Sequence, residues 1–479
     1  MIQSKVLEYD PLNNESFNPD PIDMARLFSM VIEPRFRFNC DADTWFFYDG
    51  IRWVKDAGNM SLERIAQEFQ KVMLAYCLER VSDNPKKRND KEAGLYKVVT
   101  RLADRTSRTK LMKDAAAYRS ITYSSMDRDE NLLNCTNGTL NLKTLELKPH
   151  DPKDMLTMVT RCEYQEGTSY ESWMKFMDEI MQGNTDKIRY LQKIAGLCLT
   201  CDMSLEQSFI LLGTSTRNGK SAFLETLGYM MGDYSCTASP SMLEDREKNS
   251  AAPSPDLAAL AGKRLVRVSE PRKRMQFNSS MFKQITGGEE MTARFLHENN
   301  FQFKPVCKIV FNTNFLPVIS DDSVFASDRL KVITFDRHFN EEEQDHTLKD
   351  KLRQPYSMSG ILNWCIEGLR LYHSEGLKAP SIVDSATEDY RSDQDKIKNF
   401  FSDVMEKDMA GNVSLKNAYR CYVMWCKDNG YGVDSKQSFK ADLQTRGLLM
   451  KTGTIQGRTI HNVIPNYVIS KPFGDEHDL

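Results

Sequence analysis

An apolar run, Phe209-Ile210-Leu211-Leu212, breaks at Gly213. It passes through the polar stretch Thr214-Ser215-Thr216-Arg217-Asn218 and reaches Gly219-Lys220-Ser221, after which Ala222-Phe223-Leu224 opens a helical pattern. Strand, loop and helix in that order are the layout of a phosphate-binding loop. Backbone N–H groups of such a loop point at phosphate, and the helix dipole favours negative charge there. Gly219 lets the main chain approach closely. Lys220 is placed to reach the β- and γ-phosphates of ATP, and the Ser221 hydroxyl to hold Mg²⁺. Gly213, Asn218, Gly219, Lys220 and Ser221 are therefore the expected nucleotide set. The spacing departs from the usual one, because five residues separate Gly213 from Gly219 and Thr214 stands where the first glycine is expected.

A chain of 479 residues suggests three or four domains. No run approaches the length of a membrane span and no apolar secretory segment opens the chain, so a cytoplasmic protein is expected. The 11 cysteines are scattered, as reduced core thiols are. Cys198 and Cys201 form a Cys-x-x-Cys in an apolar helical stretch, where packing is the expected role. A net charge of −3 gives no whole-chain sign of nucleic-acid binding, so any such surface must be local.

Patterning divides the chain. Residues 1–20 read as a flexible arm. Residues 21–165 read as a mainly helical domain with short β patches, one of them the aromatic hairpin Thr44–Trp53, expected to be a hairpin core rather than a base-stacking platform. Residues 166–205 read as a helical linker or collar. Residues 206–345 alternate strands and helices, the α/β signature of a phosphate-loop motor. Residues 346–392 read as a helical lid and linker. In the last segment, 393–479, Ser414 and Ser435 are expected helix N-caps. Strands follow around Gly453 to Gly457. Helix, helix and hairpin of this size is a winged-helix pattern.

A nucleotide hydrolase also needs an acid near the phosphates. Leu265–Ser269 is a β-branched strand ending at Glu270, and Val332–Phe335 is another ending at Asp336; Glu270 is the preferred candidate. The strand Lys308–Thr313 ends at Asn314, whose amide could bond the γ-phosphate or the attacking water.

Taken in order, these segments resemble the superfamily 3 helicases, and more closely the helicase portion of phage, plasmid and poxvirus primase–helicases. The matching text is Asn218-Gly219-Lys220-Ser221, Leu260-Ala261-Gly262-Lys263-Arg264-Leu265-Val266 leading to Ser269-Glu270, Phe282 to Glu289, Ala293-Arg294, Thr313-Asn314-Phe315-Leu316-Pro317, Asp328-Arg329-Leu330 and Leu362 to Leu369. Upstream, Asn134 to Leu140 and Pro149-His150-Asp151-Pro152 resemble the domain that precedes the helicase in that family. The departures are the displaced first glycine, the single acid at Glu270, and Glu289 where the family usually has Asp.

The resemblance implies a multidomain α/β protein with an AAA+-like ATPase core, a mainly helical N-terminal domain and a C-terminal winged helix. It implies a ring, usually a hexamer, with ATP and Mg²⁺ between subunits. Lys220, Glu270, Asn314 and Arg329 become the catalytic set, with Asn314 as sensor and Arg329 as a finger acting on the neighbour's γ-phosphate. Ser221 and Glu270 become the metal ligands. Arg294, His297 and Lys304 lie on a segment resembling the hairpin that grips single-stranded DNA in the ring channel. Lys440, Arg446 and Arg458 are the candidates for duplex DNA at the winged helix. Two further basic groups, Lys263 to Arg274 and Lys86 to Lys113, could face DNA or solvent.

Together these readings predict a replicative helicase or initiator of a mobile element or phage. It would act in a bacterial cytoplasm, with a primase or other replication proteins as possible partners. No primase domain is expected within residues 1–40. The alternatives are a DNA-packaging or partition ATPase, and a DNA-binding initiator whose ATP site only controls assembly.

Overall fold

The computed structural model describes residues 2–213, 215–245, 255–272, 275–294, 300–319, 321–429, 431–455 and 457–470. Five helices surround the first core: α1 (Ile2–Tyr9), α2 (Pro21–Ile32), α3 (Met60–Arg80), α4 (Asp90–Arg101) and α5 (Arg105–Ala116). The segment expected to be a flexible arm is part of this core. Ile2, Val6 and Phe17 are buried in it, and the Tyr76 hydroxyl binds Asp10 while accepting Leu12 N–H at 3.2 Å. Three apolar residues in a polar stretch are enough when a prepared surface receives them. A sheet of order β3-β2-β1-β4 caps the unit, from β1 (Phe36–Asn39), β2 (Thr44–Tyr48), β3 (Trp53–Lys55) and β4 (Ser120–Ile121). Trp45, Phe46 and Trp53 are buried, so the aromatic hairpin is a core.

The motif upstream of the motor is a structural latch. Strands β5 (Leu132–Cys135), β6 (Gly138–Asn141) and β7 (Leu147–Lys148) form a small sheet. Asn134 is fully buried in it. Its amide donates to the carbonyls of Ile51 (3.0 Å) and Met158 (3.1 Å), and its oxygen meets His150 Nδ1 at 3.0 Å. Residues 133–164 share their core with the motor rather than with the N-terminal helices. The two cores thus part between residues 116 and 132, ahead of the expected boundary at 165.

The domain expected to be the motor is built on a five-stranded parallel sheet of order β14-β8-β13-β10-β9. Its strands are β8 (Ser208–Leu212), β9 (Ser235–Ala238), β10 (Leu265–Ser269), β13 (Lys308–Thr313) and β14 (Leu330–Thr334). Alternating side chains serve two cores, as strand geometry requires. Phe209, Leu211, Leu265, Val310 and Ile333 face one layer; Ile210, Val266, Val268, Ile309, Phe311 and Val332 face the other. The first layer holds α6 (Glu171–Met181), α7 (Thr185–Leu197), α8 (Lys220–Met230), α12 (Leu348–Leu352) and α13 (Pro355–Glu375). The second holds α9 (Pro255–Ala258), α10 (Ser279–Thr286), α11 (Ser323–Ala326), α14 (Ser381–Gln394) and the antiparallel hairpin β11 (Met291–Ala293) and β12 (Phe301–Phe303).

Two expected linkers are therefore motor walls. α6 and α7 carry Trp173, Phe176 and Leu191 into the first layer, and Cys198 lies there fully buried, its thiol pushed up to about 12 by burial. α14 covers the exposed edge of the sheet: Thr387 Oγ1 accepts Val332 N–H at 3.0 Å and Tyr390 Oη donates to the Pro317 carbonyl at 2.6 Å. A covered edge strand cannot recruit another chain.

The last unit has its own core, from α15 (Lys396–Val404), β15 (Met405–Ser414), α16 (Leu415–Asn429), α17 (Lys436–Thr445), β16 (Met450–Ile455) and β17 (Arg458–Ile469). Ser414 Oγ accepts Asn417 N–H at 3.2 Å and Ser435 Oγ accepts Ser438 N–H at 3.1 Å, so both expected caps form. The sheet order is β15-β17-β16; β15 lacks clear alternation in the sequence.

Candidate nucleotide site and finger

The sequence places the phosphate loop between β8 and α8, and the fold sets it at the carboxyl edge of the parallel sheet, where open α/β sheets bind ligands. Gly219 has φ +85° and sits against Ile180, so a side chain there would be both strained and crowded. The displaced Gly213 also has a steric role: a methyl group there would collide with Asn218 and Lys220. Asn218 is buried and closes the loop, its Nδ2 donating to the Ser215 carbonyl at 2.7 Å. His338 Nδ1 meets the Thr216 carbonyl at 2.8 Å and Phe339 N–H donates to the Arg217 carbonyl at 2.9 Å, which pins the chain after β14 onto the loop.

Strand order then brings the other parts in. β13 lies beside β8, and the Asn314 Oδ1 at its end accepts Lys220 Nζ at 2.9 Å. Asn312, on the same strand face two residues earlier, donates its Nδ2 to Ser221 Oγ at 2.9 Å. Sequence reasoning named Asn314 and missed Asn312; the period-two alternation of a strand was the available signal. Glu270 follows β10, the next strand over. Its backbone is left-handed at φ +50°, held by its N–H donating to the Asn312 carbonyl at 2.9 Å, and its carboxylate is exposed. Asp336, the rival acid, is engaged elsewhere: with Thr334 it receives the buried Lys187 ammonium, at 2.9 Å. Burial pushes Lys220 down to about 8 despite the opposing pull of Glu270. Among the described residues this buried ammonium bonds a neutral amide, and a phosphate would supply the negative charge it lacks.

Oxygen donors suit Mg²⁺. Ser221 is exposed and its hydroxyl already accepts from Asn312, while Glu270 offers a carboxylate at the same edge. Those residues fit the ion.

Arg329 lies at the opposite end of the sheet, at the start of β14, where its carbonyl accepts Ser208 N–H at 2.8 Å. It is not brought to the loop of its own chain. Of the hairpin residues, Arg294 follows β11 and Lys304 stands exposed after β12, whereas His297 lies outside the described residues. The basic group around β10 points largely inward. Arg264 is buried, donating to the carbonyls of Leu199 (2.5 Å) and Leu132 (2.7 Å), and Lys263 Nζ donates to the Asp233 carbonyl at 2.6 Å. Lys273 and Arg274 lie outside the described residues. In the N-terminal group, Arg108 is bound to Glu63 at 2.8 Å, while Arg101, Arg105, Lys110 and Lys113 are exposed. In the last unit no acid among the described residues pairs with Lys440 or Arg458, but Arg446, at the end of α17, is held by Asp395 at 2.8 Å. That pairing ties Arg446 to the junction between α14 and α15.

Among the described residues no helix is long and apolar enough to cross a membrane. Three family models match the chain: "D5 N terminal like" over residues 25–182, a "family of unknown function" over 211–329, and "Poxvirus D5 protein-like" over 392–451. The "putative helicase L207/L206" of Acanthamoeba polyphaga mimivirus is 24% identical over 466 residues, spanning 90% of this chain and 48% of that protein. The "putative helicase 022R" of Frog virus 3 is 25% identical over 46% of this chain and 24% of its own length. The "putative primase C962R" of African swine fever virus is 22% identical over 64% of this chain and 34% of its own. The chain thus spans about half the length, or less, of these curated relatives. None of the three is a phage or plasmid protein, so the bacterial setting expected from the sequence is not carried forward. In fold, the solved C-terminal region of NrS-1 in its apo form matches with a TM-score of 0.50 at 10% identity, covering 93% of this chain and 99% of that one. The chain is thus similar to D5-like proteins over residues 25–182 and 392–451, and over most of its length to a putative viral helicase.

Proposed function

We propose that this protein is an ATP-driven motor that assembles as a ring, probes or grips single-stranded DNA through the Arg294–Lys304 hairpin, and separates strands during genome replication. One observation carries the reading. Lys220, Asn314, Asn312, Ser221 and Glu270 come from two loops and a strand distant in sequence, and all meet at one sheet edge. Lys220 would bind the β- and γ-phosphates, and Asn314 would exchange its bond to Lys220 for one to the γ-phosphate or the attacking water. Ser221 and Glu270 would hold Mg²⁺, whose charge neutralises the phosphates as the bond to the leaving group breaks. Arg329, too far from its own loop, would stabilise charge at the neighbour's γ-phosphate. The helicase descriptions of the relatives support DNA as the track. The helix–strand–helix–helix–hairpin order of the last unit supports a winged helix, with Lys440 and Arg458 toward duplex DNA. The test is strand displacement on tailed duplexes of both polarities, with and without ATP. Displacement on one polarity that is lost in Lys220→Ala is the expected result. Hydrolysis without displacement on either substrate would instead indicate a translocating or packaging motor.

A further inference from the structure

Arg329 has a partner of its own. Its Nη2 pairs with the Glu206 carboxylate, while Nη1 donates to Thr286 Oγ1 at 2.9 Å and to the Lys283 carbonyl at 3.3 Å. Glu206 belongs to the turn that leads into β8. The next residue repeats the grip, with Gln207 Nε2 donating to Asp328 Oδ2 at 2.8 Å. Two residues entering β8 therefore hold the two residues entering β14. Glu206 and Asp328 both have left-handed backbones, at φ +52° and +59°. Non-glycine residues keep that conformation only where the surroundings enforce it, and such positions gather at functional sites.

The chemistry of the three acceptors differs. Thr286 and the Lys283 carbonyl are neutral and fix the plane of the guanidinium. Glu206 alone brings negative charge, and its side chain is 42% exposed against 18% for Arg329. A group that displaces Glu206 must approach from solvent and carry more charge than a carboxylate. A γ-phosphate on an adjoining subunit meets both conditions.

We propose that Glu206 is the resting partner of the finger, a positioning residue that keeps Arg329 charge-paired and oriented until the neighbour's γ-phosphate replaces the carboxylate. The proposal rests on the reading of Arg329 as a finger acting in trans. Release of Arg329 from Glu206 is then part of each turnover at the adjoining site. β8, five residues and about 16 Å long at strand rise, separates the turn that carries Glu206 from the phosphate loop. The resting partner of a subunit's finger thus sits in the turn at one end of the strand whose other end leads into that subunit's own nucleotide loop.

Mixed rings test this in a directional way. Subunits carrying Lys220→Ala have a dead loop and a live finger, and subunits carrying Arg329→Ala the reverse, so hydrolysis in the mixture arises where the two meet. Glu206→Gln keeps an acceptor and removes the charge. Placed in the Lys220→Ala subunit, it is expected to raise the mixture's ATPase rate about two- to fivefold, the factor an exposed ion pair commonly carries. Placed in the Arg329→Ala subunit, it should change nothing. An equal effect from both placements, or none from either, overturns the role of Glu206 while leaving the finger intact. If the unmodified mixture regains no activity while still co-assembling, the trans finger itself fails, and this proposal with it.

Discussion

On the proposed function, Lys220 would couple nucleotide binding to pH. Burial holds its folded pKa at about 8, below the ordinary 10.5. Below pH 8 the ammonium is charged in folded and unfolded chains alike. Between pH 8 and 10.5 the unfolded chain binds more protons, so the nucleotide-free protein gains stability as pH rises through that window. Bound phosphate favours the charged form, so ATP binding near pH 8 should take up a proton. Calorimetry in buffers of different ionisation enthalpy reads this directly; an uptake of zero at pH 8.5 would exclude it, and Lys220→Met should abolish both the uptake and hydrolysis. Asn314→Ala should lower kcat by about 10²-fold, the usual cost of one lost polar contact to developing charge, with ATP binding kept. Asn312→Ala should act differently, through Ser221, by raising the Mg²⁺ concentration needed for half-maximal rate in a metal titration.

Helix packing behind the site depends on two glycines. α7 and α13 cross so closely that a methyl group on Gly368 would strike the backbone of Gln192, with its carbonyl carbon at 2.5 Å, and one on Gly196 would strike the backbone of residues 365 to 369. Gly368→Ala should therefore cost about 1–3 kcal/mol through overpacking, visible as a lower thermal midpoint. Trp173 lies against both Phe223 of α8 and Trp364 of α13. The same variant should then weaken nucleotide binding through α8 without touching a ligand group, and intact ATP affinity in a destabilised variant would separate the two effects.

At the scale of the molecule, the last unit keeps an apolar core of its own. Arg446 on α17 meets Asp395, the residue between α14 and α15, at 2.8 Å. Removing residues 396–479 should spare hydrolysis and weaken duplex binding. The duplex contacts of the whole protein should carry a salt slope of about 0.9 log unit per phosphate neutralised. Lys440→Ala with Arg458→Ala should flatten that slope, while Arg446→Ala should leave it and loosen the junction between α14 and α15. A double variant with unchanged slope would make this unit a protein-contact module.

Local chemistry was legible in the sequence. Strand, loop and helix in that order are set by short-range patterning, so the turn at Gly219 between β8 and α8 could be placed from order and residue type. The serine caps and the alternation of β8 and β13 are likewise short-range. What the chain folds against itself was not legible. Residues 2–17 are polar on average, yet Ile2, Val6 and Phe17 are buried by helices far along the chain. Arg264, Lys263 and Arg446 read as DNA-facing charge, but buried carbonyls and a distant carboxylate claim them. Asn312, Asp336 and Glu206 are ordinary residues in one dimension. Their partners lie 91, 149 and, for Arg329, more than a hundred residues away. Spacing along a chain determines which backbone groups and side chains share a turn or a face. Only the ordering of strands in the sheet decided which charges meet, because an ion pair or a hydrogen bond depends on distance in space and not on sequence.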